Sequence, residues 1–233
     1  MQIREQFPAL DQKVYGKPLV YLDNGATAQK PRQVLDVLQE MQAGMNGNIH
    51  RAVHYLSVQC TERYDRARAA VRDFINASSE NEIVFTGGTT ASLNLLAFSF
   101  GQTYIRPGDR IIVTQAEHHS NIVPWQMMCQ RTGALLEVWE VEDTGALDPK
   151  KLEQILDRPG EAPRLLAVTH ISNVLGIVNP MEEIIRIAHY YHVPVAVDGA
   201  QGIVHKKVDV RKMDADFYVF SGHKLYGPTG TGV

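Results

Sequence analysis

Residues 217–233 read Phe217-Tyr-Val-Phe-Ser-Gly-His-Lys-Leu-Tyr-Gly-Pro-Thr-Gly-Thr-Gly-Val233. An apolar run that favours β-structure ends in this segment, close to Lys224, which stands among serine, histidine and glycine. A lysine held after a buried strand can form a Schiff base with an aldehyde cofactor. Lys224 is therefore the first candidate for chemistry, and the run before it indicates a sheet-based fold.

Short β-branched runs alternate with longer helical patterns along the chain, a rhythm typical of βαβ units. The predicted strands are Leu19–Leu22, Glu82–Phe85, Arg110–Thr114, Leu135–Val141, Leu165–Thr169, Val193–Val197 and Phe217–Phe220. The predicted helices are Pro31–Ala43, Gln59–Asn76, Thr89–Phe100, Ile122–Thr132, Pro149–Leu156 and Met181–Tyr191. The sequence predicts an α/β fold with a mostly parallel sheet flanked by helices.

Composition limits the classes of partner. The 233 residues are 44% hydrophobic, enough for a large core, and the net charge of -3 gives no indication of a nucleic-acid or membrane-surface partner. The first residues lack the apolar region of a secretion signal, and no stretch has the roughly 18 apolar residues of a membrane span, so a cytoplasmic location is expected. Cys60 and Cys129 are far apart and are interpreted as inert thiols in helices.

Polar residues follow the predicted strands, at the edge where open α/β sheets bind ligands. The segment Thr86-Gly-Gly-Thr-Thr90 opens a helix and suits a phosphate group, although an ordinary turn capped by Thr89 also explains it. Asp198 follows a buried strand and needs a positive partner there, unless it caps a helix. His118 offers an aromatic ring, and Asn173 offers an amide or a turn residue.

The histidines do not indicate a metal site. His118 and His119 are adjacent, so their side chains diverge, and no cluster of carboxylates or cysteines completes a ligand set. His50 and His54 are four residues apart, but the glutamate of a zinc-protease helix is missing between them. No metal is expected.

One shared ligand explains these strand-end residues more simply than five unrelated causes, and pyridoxal phosphate (PLP) fits them. Lys224 would bond the aldehyde, Asp198 would meet the protonated ring nitrogen, and His118 would stack on the ring. The remaining candidates are polar groups for the phenolic oxygen, Asn173 and Gln201, and for the phosphate, Thr89, Thr90, Ser221 and His223.

The chain resembles the class V aminotransferase group of fold-type I PLP enzymes, and within it the Suf-type (group II) cysteine desulfurases. The resemblance runs nearly end to end. Its motifs are Tyr21-Leu-Asp-Asn-Gly-Ala-Thr27, Gln29-Lys-Pro31, His50-Arg51, Gly88-Thr-Thr90, Glu117-His-His-Ser-Asn-Ile-Val-Pro-Trp125, Thr169-His-Ile-Ser-Asn-Val-Leu-Gly176, Val197-Asp-Gly-Ala-Gln201 and Phe220-Ser-Gly-His-Lys-Leu-Tyr-Gly-Pro-Thr-Gly230.

This resemblance implies a homodimeric enzyme that takes sulfur from L-cysteine, leaves L-alanine and passes the sulfur as a persulfide to an acceptor protein of iron-sulfur cluster assembly. Lys224 is implied as the Schiff-base lysine and as the group that moves the Cα proton. His118 is implied as the ring-stacking residue and a proton donor, with Asp198 tuning the cofactor. His50 and Asn173 would lie toward the substrate.

The resemblance also implies a domain organisation. Residues 1–20 would form an N-terminal segment of a small domain or arm, and residues 21–233 a PLP-binding large domain. Family members continue past the PLP lysine into a C-terminal small domain, with a loop cysteine that attacks the substrate sulfur and an arginine that binds its carboxylate. Neither is matched here, so the chain is expected to be an N-terminal portion.

Three positions depart from the family pattern, and other functions stay open. Gly87 and Ala91 stand where the family usually has arginine and glutamate, and Gly25 replaces a usual alanine. One alternative is a selenocysteine lyase or another class V lyase, epimerase or aminotransferase. Another is a catalytically silent PLP-fold scaffold. A dinucleotide-binding domain is disfavoured, because Asp23-Asn-Gly-Ala-Thr27 is not a G-x-G-x-x-G fingerprint.

Overall fold

The computed structural model describes residues 3–51, 53–160 and 163–233. The chain divides into two compact units. The first runs to Val84 and also contains Gly222–Thr229, and the second comprises Phe85–Ser221 and Gly230–Val233. The predicted domain boundary after residue 20 stays a prediction, and Met1 and Gln2 lie outside the described residues.

The first unit contains a short hairpin and two helices. Strands β1 (Lys13–Val14) and β2 (Lys17–Pro18) are antiparallel, and Tyr15 and Gly16 between them have φ of 52° and 77°. Two positive φ values suit a tight type I′ connection. Helices α1 (Arg32–Gly44) and α2 (Tyr55–Phe74) confirm the predicted helices at Pro31–Ala43 and Gln59–Asn76.

Helix α2 begins four residues earlier than predicted because His54 caps it. Nδ1 of His54 accepts a hydrogen bond from the Ser57 amide at 3.3 Å. The prediction of a strand at Leu19–Leu22 is wrong: Val20 and Leu22 are 71% and 87% exposed, and no ladder forms there. A run of β-favouring residues becomes a strand only where a second strand pairs with it.

The second unit alternates helices and strands. Its elements are α3 (Thr89–Tyr104), β3 (Arg110–Thr114), α4 (Val123–Thr132), β4 (Leu135–Trp139), α5 (Pro149–Leu156), β5 (Leu165–Thr169), α6 (Met181–Tyr190), β6 (Val195–Asp198), α7 (Gly202–His205), α8 (Val210–Met213) and β7 (Phe217–Val219). The bounds of β3, β5 and α5 are those predicted. Strand β4 ends before the predicted Val141, and β6 begins after the predicted Val193 but includes Asp198.

These five longer strands form one parallel sheet in the order β4-β3-β5-β6-β7. From β3 the chain continues to β4, which lies on one side of β3 in the sheet. From β5 it continues to β6 and β7, which lie on the opposite side of the sheet. Such a reversal of strand order opens a crevice between neighbouring loops at the carboxyl edge. In this sheet the crevice falls between β3 and β5.

Helices cover both faces of the sheet. Leu166 and Val168 of β5 pack in one apolar cluster with residues of α5 and α6, whereas Leu165 and Ala167 pack in a second cluster with residues of α3 and α4. All five residues of β5 are buried. Burial of each leucine side chain stabilises the fold by about 2 kcal/mol. The predicted α/β architecture, a parallel sheet flanked by helices, is confirmed.

The predicted strand at Glu82–Phe85 is wrong. Ser79 Oγ accepts a hydrogen bond from the Asn81 amide at 3.2 Å and caps a short 3-10 turn at Glu80–Glu82. Thr86, just beyond the predicted strand, makes a single antiparallel bridge with Gly232, with N to O distances of 2.9 Å in both directions. Local capping therefore overrides the β-favouring run. Within the described part of the chain, no helix is both long and apolar enough to cross a membrane.

Candidate active site

Four of the predicted site residues of the second unit lie at or just after the carboxyl ends of its strands. His118 follows β3, Asn173 follows β5, and Asp198 is the last residue of β6. Ser221 follows β7. Because parallel strands end at the same edge of a sheet, the fold places these residues on the ligand-binding side.

Asp198 is a buried carboxylate, as predicted. The residue is 4% exposed, and its Oδ1 accepts a hydrogen bond from the Ala200 amide at 2.9 Å. Its backbone oxygen accepts from the His170 amide at 2.9 Å. Gln201, three residues later, is also buried and directly precedes α7. The turn after β6 therefore holds an acid and an amide side chain in the interior.

The turn that opens α3 joins two residues predicted to hold phosphate. The Thr89 amide donates to Ser221 Oγ at 2.8 Å, and the Thr89 hydroxyl lies 2.7 Å from the same oxygen. Thr89 does not cap the helix. The cap is Gly88, whose φ of 136° suits glycine, and Thr89 is the first helical residue. Thr90 is exposed in the first turn of α3.

The backbone at this turn is packed too tightly for side chains. A Cβ on Gly232 would lie 2.4 Å from Gly88 Cα. The first amides of a helix have no acceptor within the helix, and they attract anions together with the helix dipole. A glycine-lined turn, a helix N-terminus and the Thr90 hydroxyl form a donor set that fits a phosphate group.

The turn after β3 orients the ring of His118. Nδ1 of His118 accepts from the Ser120 amide at 3.1 Å and lies 2.8 Å from Ser120 Oγ. Because Nδ1 is an acceptor in this arrangement, the neutral ring carries its proton on Nε2. The ring is exposed, as a residue that stacks on a ligand must be.

Asn173 lies in an exposed turn after β5. The Gly176 amide donates to Ser172 O at 3.0 Å, and Ile171 pairs with Val178 in an isolated bridge. Asn173 is therefore a turn residue, and its side chain is exposed at the edge of the sheet.

Glu117 is a member of this edge that sequence reasoning did not single out. Its Oε1 accepts from the Thr169 amide at 2.7 Å and lies 2.5 Å from the Thr114 hydroxyl, and its Oε2 accepts from Asn121 Nδ2 at 2.6 Å. The residue as a whole is partly exposed, but its carboxyl group is enclosed. Burial, and to a lesser degree the charge of Asp198, raise the pKa of Glu117 to about 8.

His170 and Tyr218 form a second pair that sequence reasoning missed. His170 Nδ1 lies 3.0 Å from the Tyr218 hydroxyl. Burial, followed by the charge of Lys206, lowers the pKa of His170, and burial followed by the charge of Asp198 raises the pKa of Tyr218. Both side chains are therefore neutral at physiological pH. They pack against the turn after β6, and the Tyr218 ring leaves no room for a side chain at position 199, which is Gly199.

Replacing Gly199 with alanine is expected to lower the free energy of unfolding by about 1–3 kcal/mol, the usual range for overpacking. The new Cβ would lie 2.1 Å from Cε1 of Tyr218. The shift of the urea midpoint measures the effect. Gly44→Ala is the matched control, because a Cβ at that helical position meets nothing within 4 Å. Equal midpoints for Gly199→Ala and the wild-type chain would contradict the packing described here.

Lys224 and His223 belong to the first unit. They end a short 3-10 turn, Gly222–Lys224, and His223 O accepts from the Ala28 amide at 2.9 Å and from the Thr27 hydroxyl at 3.4 Å. Burial, followed by the charges of Lys224 and Lys30, lowers the pKa of His223. The imidazole is therefore neutral and able to share a hydrogen bond. Lys224 follows Ser221 by three residues along the chain.

His50 also lies in the first unit, in a strained backbone conformation with φ of 58°. Its Nε2 is 3.7 Å from Asp65 Oδ1, and its ring contacts the edge of Tyr64. Among residues 3–51, 53–160 and 163–233, no three histidine, cysteine or acidic side chains are grouped so as to hold a metal ion.

Comparison with known proteins identifies the family. The model of the class-V aminotransferases matches residues 20–233. The chain belongs to the class V aminotransferase family. Over 232 residues it is 50% identical to the cysteine desulfurase of Shigella sonnei (strain Ss046) and 51% identical to that of Cronobacter sakazakii (strain ATCC BAA-894). Both matches cover 100% of this chain and 56% of the relative.

Solved structures agree with this family assignment. The cysteine desulfurase CsdA of Escherichia coli superposes with a TM-score of 0.85 at 41% identity, over 98% of this chain and 55% of that one. The apo cysteine desulfurase of Thermococcus onnurineus NA1 superposes with a TM-score of 0.90 at 38% identity, over 99% and 55%. The predicted family and fold are thus confirmed, and the chain spans about half the length of the relatives it matches. The Suf-type subgroup stays a prediction.

The family uses PLP, and the residues of this chain fit that cofactor. The turn at Gly88 suits the phosphate, and Asp198 supplies a buried carboxylate of the kind that pairs with a protonated ring nitrogen. His118 presents an exposed ring. The donor and acceptor groups that each unit presents are the basis for this fit to PLP.

Proposed function

We propose that this chain carries the PLP-binding part of a cysteine desulfurase, which converts L-cysteine to L-alanine and passes the sulfur on as a persulfide. The observation that carries the proposal is Asp198, a carboxylate enclosed at the ligand-binding edge of the sheet. A buried carboxylate is costly unless a positive group meets it, and a protonated pyridine nitrogen is such a group. The 50% identity to cysteine desulfurases supports this assignment.

PLP supplies an electron sink for the substrate's Cα when it is bound. Lys224 would hold PLP by its aldehyde group and would move the proton at the substrate Cα. Asp198 would hold the ring nitrogen in its protonated form, and His118 would stack on the ring and act as a proton donor. The supporting contacts are assigned to Asn173 and Gln201 at the phenolic oxygen, to Thr89, Thr90, Ser221 and His223 at the phosphate, and to His50 and Asn173 on the substrate side.

Neither cysteine of this chain is suited to attack the substrate sulfur. Cys60 is buried in α2 and its thiol donates to Met45 O at 2.6 Å. Cys129 is buried in α4, and burial raises the pKa of its thiol. A reactive thiol must be accessible and readily ionised. The 233 residues alone are therefore expected to turn over L-cysteine weakly or not at all.

We also propose the oligomeric state, partner and location of the enzyme. A homodimer and a sulfur-acceptor protein of iron-sulfur cluster assembly follow from the resemblance to cysteine desulfurases, and a cytoplasmic location is proposed with them. A catalytically silent scaffold stays a second candidate, because Gly87 and Ala91 replace the arginine and glutamate that are usual in the family. A scaffold has no physical need for a buried carboxylate at Asp198.

Cofactor loading followed by substrate titration tests the proposal. The purified chain is incubated with PLP, and visible absorption is recorded before and after addition of L-cysteine, L-selenocysteine or other L-amino acids. We expect PLP to bind and L-cysteine to change the spectrum at the lowest concentration. Absence of PLP binding would favour the scaffold, and a response only to L-selenocysteine or to other amino acids would favour another enzyme of the family.

A further inference from the structure

The reversal of strand order leaves a gap beside the end of β3. The loops after β3 and β5 run to opposite sides, so no residue of β3 lies opposite Thr169, the last residue of β5. The backbone amide of Thr169 is buried there and needs an acceptor. The Glu117 side chain provides it, at 2.7 Å from Oε1.

The Glu117 carboxyl group therefore replaces a missing residue of the ladder. Oε1 joins the end of β3, through the Thr114 hydroxyl, to the end of β5, through the Thr169 amide. Oε2 of the same carboxyl group accepts from Asn121 Nδ2. Asn121 is fully buried, and its Oδ1 accepts from Trp125 Nε1 at 2.9 Å. The carboxyl group thus links two strands and the start of α4.

A carboxyl group is needed at this place, and an amide is not equivalent. Oε1 accepts from the Thr169 amide and Oε2 accepts from Asn121 Nδ2, so both atoms must be oxygens. The orientation of Asn121 is determined, because Trp125 Nε1 can only donate and requires Oδ1. A glutamine has one side-chain oxygen and would leave one donor facing an NH2 group.

Glu117 is also the residue immediately before His118. The Asn121 amide donates to His118 O at 2.8 Å, so both ends of the turn that carries the imidazole depend on the same group of contacts. We propose that Glu117 is a positioning residue for His118, because its enclosed carboxyl group holds residues 115–121 across the ends of β3 and β5 and so orients the imidazole. The inference deepens the proposed function and rests on the role of His118 in it.

The hydrogen bonds of the Glu117 carboxyl group agree with this role. The Thr114 hydroxyl donates to Glu117 Oε1 at 2.5 Å, so with the Thr169 amide and Asn121 Nδ2 the carboxyl group accepts three hydrogen bonds. Burial raises the pKa of Glu117 to about 8, and the three hydrogen bonds offset only part of that rise.

The first test uses the chain without cofactor. We expect ¹⁵N spectra of the histidine rings, with the His118 signals assigned by their loss in His118→Gln, to show mainly the Nε2–H tautomer in the wild-type chain. In Glu117→Gln the fraction of the Nδ1–H tautomer should rise at least about threefold, because a lost buried hydrogen bond loosens the turn. An unchanged His118 spectrum in Glu117→Gln would overturn the proposal.

Asp109→Asn is the matched control. Asp109 directly precedes β3 at the opposite edge of the sheet, is 5% exposed, and also accepts with both oxygens, from the Arg106 amide at 2.7 Å and from Arg164 Nε at 3.1 Å. The His118 spectrum should not change in this variant. An equal change in Asp109→Asn would show general loosening of the fold and would overturn the positioning role.

A double-mutant cycle on PLP affinity is the second test. Glu117→Gln should weaken PLP binding roughly tenfold in the wild-type background but less than about twofold in His118→Gln, because an effect that acts through His118 is lost with it. Equal losses in both backgrounds would overturn the proposal. If the wild-type chain binds no PLP, the proposed function fails, and the cofactor-free spectra still decide the role of Glu117.

A milder variant covers the case in which Glu117→Gln does not fold. Thr114→Val removes the hydroxyl that lies beside Oε1 and leaves the carboxyl group in place. A rise of the Nδ1–H tautomer of His118 in this variant, in the same direction as predicted for Glu117→Gln, supports the proposal. A folded Thr114→Val chain with the wild-type His118 spectrum contradicts it.

Discussion

Replacing Lys224 with alanine is expected to abolish covalent capture of PLP. Only an amine that attacks the aldehyde carbon can form the bond, and alanine has none. The measurement is borohydride reduction of the PLP-loaded chain followed by peptide mass analysis, in which the wild-type chain should carry one pyridoxyl group on the peptide with Lys224. The variant should carry none.

Lys207→Ala is the control for this experiment. Lys207 is an exposed lysine of the second unit, between α7 and α8, and its loss should leave the labelling of Lys224 unchanged. A pyridoxyl group on any residue other than Lys224 in the wild-type chain would refute the assignment. So would undiminished labelling of the Lys224→Ala chain.

Replacing Asp198 with asparagine is expected to slow proton removal from the substrate Cα by about 100- to 1000-fold, the usual cost of losing one preorganised electrostatic contact in an active site. The change removes the charge but keeps Oδ1, which accepts from the Ala200 amide, so the turn after β6 should persist. The measurement is deuterium exchange at the Cα of L-alanine in PLP-loaded chain. This exchange needs no sulfur nucleophile and isolates the part of the reaction assigned to this chain.

Asp214→Asn is the matched control for Asp198→Asn. Its side chain is 82% exposed, at the end of α8, so the same chemical change is made on the surface. The exchange rate should stay within about twofold of the wild-type rate, as for most surface substitutions. If Asp198→Asn retained a similar rate, Asp198 would not be the partner of the ring nitrogen.

Strands with two buried faces could be predicted from the sequence. Arg110–Thr114 and Leu165–Thr169 are short, β-branched and apolar runs between longer helical patterns, and both have the predicted bounds. The runs Leu19–Leu22 and Glu82–Phe85 look similar locally but form no ladder. Strand formation depends on a partner strand, and the run of residues does not show whether one is present.

The candidate site was predictable in part for the same reason. Asp198 and His118 were found because each follows a recognisable strand, and the family motifs include both. Glu117 and Tyr218 were missed because their partners are remote in sequence: Thr169 lies 52 residues from Glu117, and His170 lies 48 residues from Tyr218. A signal for Glu117 did exist, since it is an acid four residues before Asn121 in a turn after a buried strand.

By itself the sequence indicated the five runs that form the parallel sheet, together with two runs that form no strand, the polar residues that follow them, and the family to which the motifs belong. These properties depend on local patterns of side chains, which are present in the sequence itself. Only the tertiary structure decided the reversal of order between β3 and β5, the contact of Thr89 with Ser221, and the carboxyl bridge of Glu117. Those contacts depend on the order and register of strands that are distant in sequence. Hydrogen bonds between distant residues produce no periodic pattern in the amino-acid sequence.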